Sequence, residues 1–268
     1  MPTFATPNPI TASVEIVSGA VHVVATDRDD TVVTVKPQDP NRASDVRIAD
    51  AARVDFANGI LTVSAGKRFI ALGRGGSVVV DIELPSRSRL EVSSVTARVR
   101  ADGAFGDCRF STVSGDANVD SITGNIKADS ASGGVAIETV VGAAVMSTAS
   151  GNGTVGDLTG DVKFRAASGS LSVRRLHGTV NAQTASGDVA VAAAVTGGVS
   201  VQTGSGDIEV GVEEGTAARL DLRTHSGSVR NALRQADGPA DGDETLTVHV
   251  RTGSGDVSVQ RATAGVAG

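Results

Sequence analysis

The sequence predicts an all-β fold: a β-solenoid (β-helix) with two strands in each 18-residue coil, preceded by an irregular N-terminal β region that acts as a cap. Three observations carry this. Glycine recurs at a nine-residue step at Gly115, Gly124, Gly133, Gly142, Gly151, Gly160, Gly169, Gly178 and Gly187, then at Gly197 and Gly206 after one inserted residue. Every second unit repeats one tetrad, as in Val113-Ser114-Gly115-Asp116, Ala149-Ser150-Gly151-Asn152 and Ala185-Ser186-Gly187-Asp188, so the period is two unlike halves of nine. Within a unit, apolar residues alternate with polar or small ones, as in Asp188-Val189-Ala190-Val191, which is the period-two signature of a strand with one face inward.

Residues 1–89 are less periodic but strand-like. Ser13–Val17 and Val21–Val24 flank Ser18-Gly19, and Thr31–Val35 follows. Arg53–Phe56 and Ile60–Val63 flank Asn58-Gly59, a hairpin signal, and Ser77–Leu84 precedes Pro85. Such a region suits a cap over an open solenoid end, an edge that otherwise pairs with another chain.

Residues 90–262 form the repeats. Glycine at each corner supplies positive φ or close backbone approach without a Cβ clash, and Asp or Asn after it can bond the turn backbone. No proline falls between Ser86 and Gly238, as a continuous ladder requires. A single nine-residue unit cannot stand alone. Ordering its backbone costs on the order of 9–18 kcal/mol, while burying three aliphatic side chains returns about 5–9 kcal/mol, so stacking must supply the rest. The rhythm loosens at Thr224–Val229 and Thr252–Val257. Between them, residues 231–244 read as a long inserted surface loop, and 263–268 as a tail.

The 268-residue chain contains 33 glycines, six Phe and no Trp or Tyr, so its interior is a thin core of Val, Ile, Leu and Ala. A net charge of −6 and missing aromatic platforms argue against a nucleic-acid partner. The first residues lack a basic and an apolar signal region, and no segment is apolar enough to span a bilayer, which predicts a cytoplasmic protein without membrane insertion. The single Cys108 suits a reducing compartment and reads as a half-buried apolar residue.

The Ser-Gly-Asp/Asn-Val units after an N-terminal β region, the Ile82-Glu83-Leu84-Pro85 step into the repeats and the closing Thr252-Gly253-Ser254-Gly255-Asp256-Val257-Ser258-Val259 together resemble a bacterial β-strand-repeat family. That family is classed as a domain of unknown function and often labelled candidate adhesins, and the layout is similar to its actinobacterial members. The resemblance covers nearly the whole chain. It implies a β-solenoid fold and a bacterial origin, and it transfers no catalytic residue. Many relatives are exported or membrane-tethered, some alongside envelope-stress systems.

Candidate chemistry is sparse. Gly151-Asn152-Gly153-Thr154-Val155-Gly156 matches the dinucleotide fingerprint by letter, but it falls in repeat register, where no helix follows the strand. Gly66-Lys67-Arg68 and Gly73-Arg74-Gly75-Gly76 miss the phosphate-loop spacing and read as a basic loop. Asp237, Asp241, Asp243 and Glu244 form the densest cluster of oxygen ligands, a weak candidate for a hard cation within a flexible acidic loop. The column Asp116, Asp188, Asp207 and Asp256 reads as turn caps, and His22, His177, His225 and His249 lack metal spacing. Ser130, Thr148, Thr184, Thr203, Thr224 and Thr252 form a hydroxyl column broken by Ala166, read as strand-favouring rather than ligand-matching.

The expectation is a non-catalytic scaffold or adhesin-like binding surface, not an enzyme and without cofactor. Its partner is an unknown protein or small molecule, or a second copy of the chain. Two alternatives stand beside it: a ligand-sensing module in an envelope-stress or antibiotic response, and a polysaccharide-active enzyme with carboxylates meeting across coils.

Overall fold

The computed structural model describes residues 2–66, 75–234, 238 and 244–262, which fall into two compact units, residues 1–137 and 138–268. Both are nearly all-β. The aliphatic columns of the repeat are buried; Val189 and Val191, for example, are fully enclosed.

In the first unit the strands are β1 (Thr3–Ala5), β2 (Thr11–Thr26), β3 (Asp30–Pro37), β4 (Arg53–Ala57), β5 (Ile60–Ala65), β6 (Val78–Pro85), β7 (Arg89–Phe105), β8 (Cys108–Ser114), β9 (Ala117–Ile122) and β10 (Ile126–Ser132). Parallel stacking begins at Thr11, well before residue 90. β2 lies along β7 from Thr11↔Arg89 to Ala25↔Gly103, and β7 continues at an 18-residue step onto β8 (Leu90↔Cys108) and β9 (Val99↔Ala117). On the other edge of β2 lie β5 (Thr11↔Ile60) and β6 (Gly19↔Val78), so β2 sits one layer in and β5 and β6 form the outer layer. That outer layer is covered in turn, by β4 antiparallel to β5 and by β3 antiparallel to β6, with β1 beyond β3. The β4–β5 turn is the hairpin that Asn58-Gly59 signals, with φ of 52° and 75°.

One element departs from the sequence reading. Helix α1 (Ala43–Asp50) interrupts the N-terminal strands. It carries one buried apolar residue, Ile48, too little for a periodic signal over two turns. Its anchor is polar: buried Asp45 accepts the backbone N–H groups of Asp39 (3.2 Å) and Ser77 (3.1 Å).

The second unit contains most of β11 (Val135–Ser150), then β12 (Gly153–Ser168), β13 (Leu171–Ser186), β14 (Val189–Ser205), β15 (Ile208–Val212), β16 (Thr216–Ser226), β17 (Val229–Asn231), β18 (Glu244–Ser254) and β19 (Val257–Arg261). β12, β13 and β14 stack in parallel, Gly153↔Leu171↔Val189, each running unbroken for 16 or 17 residues. The mid-coil glycine therefore bends a strand instead of ending it. Gly178, at φ 139°, points its missing Cβ at the Gly160 carbonyl oxygen, 2.0 Å away, so only glycine lets the two coils close at this bend. The inserted residue before Gly197 is absorbed as a bulge opposite Leu176 and His177.

The late loosening of rhythm has a topological cause. β18 pairs with β14 on one edge (Val199↔Val248) and with β16 on the other (Leu220↔Val248), and β19 likewise lies between β15 and β17. The last coil in sequence is thus inserted beneath the one that precedes it.

Candidate binding surfaces

The regular polar columns face neighbouring coils. Asp188 Oδ1 accepts the Asp207 backbone N–H (2.9 Å), Asp207 that of Asp256 (2.8 Å), and Asp256 that of Ser228 (2.8 Å). Asp116 and Asn152 do the same for Gly134 and Ser170, and Asp107 for Asn125. The backbone N–H of Asn125 holds the Asp107 carboxyl below the usual carboxylate range, helped by Arg89, and that of Ser228 lowers Asp256. These acids cap turns, as their place after the corner glycine suggests.

The hydroxyl column is also turned inward. Thr184, Thr203 and Thr252 are buried, and Thr203 and Thr252 donate to the carbonyls of Ser205 (3.0 Å) and Ser254 (3.1 Å). Ala166 sits in register with Thr184, where the column breaks. The dinucleotide look-alike is core: Gly153 is buried, and a Cβ there would meet Met146, Leu171 and Phe164. Its Gly156 faces the Glu138 carbonyl oxygen. Of the loop acids, Asp237, Asp241 and Asp243 lie outside the described residues, as do Lys67, Arg68, Gly73 and Arg74; Glu244 is exposed at the start of β18 opposite Thr216. Among the described residues no group of His, Cys, Asp and Glu converges as a metal site.

Charged side chains on the outward faces form ladders across coils. Arg174 joins Glu138 (2.6 Å) and Asp157 (2.9 Å), which raises its already high pKa. His22 Nε2 lies 2.8 Å from Asp102 and its Nδ1 3.9 Å from Asp81. His249 Nδ1 lies 2.9 Å from Asp221, which also receives Arg223. Both histidines sit on inserted strands, β2 and β18, and face carboxylates of adjacent strands, His22 that of Asp102 on β7 and His249 that of Asp221 on β16, a pairing that depends on topology and so escapes a linear reading. His177 is exposed opposite Thr159 and Thr196, and His225 is exposed near the end of β16.

A cleft of about 780 Å³ lies against the outermost strand of the second unit, lined by Thr216, Ala218, Leu220, Leu233, Leu246 and Arg261 among others. Among the described residues no helix is long and apolar enough to cross a membrane.

Two solved structures are similar to this chain. One is a candidate adhesin from Bacteroides fragilis, 12% identical, with 97% of this chain and 95% of that chain covered and a TM-score of 0.48. The other is a candidate cell adhesion protein from Clostridium sporogenes, 8% identical, with 97% and 98% covered and a TM-score of 0.23. No curated protein matches. The family model described as Toastrack DUF4097 matches residues 11–260, and the chain belongs to that family.

Proposed function

We propose that the chain is a non-catalytic β-solenoid, with two arms to each coil, acting as a scaffold or binding surface. One observation carries the reading: the repeated Asp side chains, together with Thr184 and Thr224, the groups most available for chemistry, bind the backbone of neighbouring coils. What then faces outward is an array of ion-paired ladders suited to adhesion rather than turnover. Buried, free Cys108 suits a reducing compartment and supports a cytoplasmic setting.

The test is turnover itself. Glu138 and Asp157 are carboxylates brought together across coils by Arg174. Incubation with cell-wall and storage polysaccharides is expected to release no reducing ends, and release that disappears in Glu138→Gln or Asp157→Asn would overturn the proposal in favour of a hydrolase. The open cleft beside β16 favours a second reading, a ligand-sensing module. Thermal shifts with peptide antibiotics and cell-wall fragments test it, and a flat response counts against it.

A further inference from the structure

We infer that the free edge of β16 pairs antiparallel with β16 of a second copy, joining two chains across a two-fold axis. This rests on the binding-surface reading and names one partner for it.

The first unit and the second finish differently. In the first, the outer layer is closed on both arms by the antiparallel strands β3 and β4. In the second, β16 pairs with β18 along one edge, and among the described residues no strand runs along the other. The core columns consequently stop short. Val180, Val199 and Val248 are buried, but the next rung, Leu220, is only half-buried; Ala182, Val201 and Val250 lead likewise to half-buried Leu222. An edge with no strand partner among the described residues, above half-exposed leucines and flanked over its first half by Asn231, Leu233 and Arg234, is a template for strand addition.

Charge selects the occupant. Edge strands are commonly protected by like charges, usually Lys. β16 instead reads Arg219-Leu220-Asp221-Leu222-Arg223, a palindrome of alternating sign with Leu220 and Leu222 on the core face. A two-fold centred on Leu220 places Asp221 of each copy opposite Arg219 of the other, Ala218 opposite Leu222, and Leu220 opposite itself. A two-fold centred on Leu222 places Asp221 opposite Arg223. Either register extends the leucine columns and pairs opposite charges at cross-strand distance. An isologous contact of this kind closes at two copies and does not propagate.

Charge swapping tests it, read by sedimentation velocity over a concentration series. The wild-type chain is expected to form a concentration-dependent dimer. Asp221→Lys and the double variant Arg219→Glu/Arg223→Glu should each weaken it by about tenfold or more, because like charges then oppose across the axis. Mixing the two variants should restore dimer, since Lys and Asp then face Glu and Arg. Arg219 and Arg223 are exposed, so the double variant is expected to fold even where Asp221→Lys does not. Amide exchange over Thr216–Ser226 in the wild-type chain should slow with concentration, independently of any variant. A wild-type monomer throughout, variants as dimeric as wild type, or a mixture that stays monomeric would overturn the inference. None of those results bears on polysaccharide turnover, so failure here is separable from failure of the functional reading.

Discussion

Asp207 accepts the backbone N–H of Asp256 at 2.8 Å, although 49 residues separate them. Elsewhere the same rung joins residues one repeat apart, as Asp116 does with Gly134. The chemistry of the rung is constant while the chain between its ends changes, so the bond belongs to the stack and not to the local sequence. Asp256 passes the pattern on to Ser228, tying the inserted coil to the outermost one.

Asp256→Ala should therefore lower the melting temperature at neutral pH by removing the acceptor for Ser228. The folded-state carboxyl is depressed below its ordinary value of 3.8, chiefly by that N–H. A depressed acid stabilises the fold above its unfolded pKa, and the contribution disappears as pH falls through the folded value. The gap between wild type and variant should be full well above 3.8 and close as pH falls below that value through the depressed folded one. A gap that stays constant over this range in a pH series of thermal melts contradicts the assignment.

Glycines on and off the nine-residue step differ in what they tolerate. Gly178→Ala drives a Cβ to 2.0 Å from the Gly160 carbonyl oxygen at φ 139° and should cost on the order of 3 kcal/mol or more. Gly198→Ala meets nothing nearer than the Thr247 oxygen at 3.7 Å and should be near neutral, within about 0.5 kcal/mol. Denaturant melts of the two variants compare them directly; equal losses would show that the nine-residue rhythm does not reflect close coil approach.

Cys108 lies in register between Leu90 and Ile126, and burial pushes its thiol up to about 12. The native protein should resist iodoacetamide and Ellman's reagent at pH 8 and become reactive only on unfolding. Rapid labelling of the folded chain would show that the coil opens locally at β8.

Much of this was legible because the repeat writes itself into the chain. The inward valines, the turn-capping acids and the Asn58-Gly59 hairpin follow from local pattern, and they occur where the pattern places them. What was hidden is the order of the coils. β2 reads as part of a cap because its partner β7 begins 78 positions later (Thr11↔Arg89), and nothing in a period of 18 encodes a jump. The same holds for β18, separated from β14 by β15, β16 and β17. Helix α1 was hidden for another reason: its anchor is the buried carboxylate of Asp45, a residue type that pattern reading assigns to the surface. The contacts of His22 and His249 with Asp102 and Asp221 follow the insertions and inherit their invisibility.

Insertion of β18 beneath β16 also fixes which parts of the second unit unfold together. Val248 is fully buried, in register with Val199 on one side and Leu220 on the other. Val248→Ala should cost about 2–3 kcal/mol from lost transfer energy and a residual cavity. In a stacked array each coil is stabilised mainly by its neighbours, so the loss should fall on the layers that touch residue 248. β16 has β18 as its pairing strand and, among the described residues, no strand beyond, whereas β13 is held on both sides by β12 and β14. Hydrogen exchange should rise first over Thr216–Ser226, although β18 follows β16 by some 20 residues in sequence, and over Glu244–Ser254 with it, while Leu171–Ser186 keeps its protection. Protection lost from Leu171–Ser186 at the same rate would mean that the second unit opens as one body, and that the inserted coil confers no separate layer of stability.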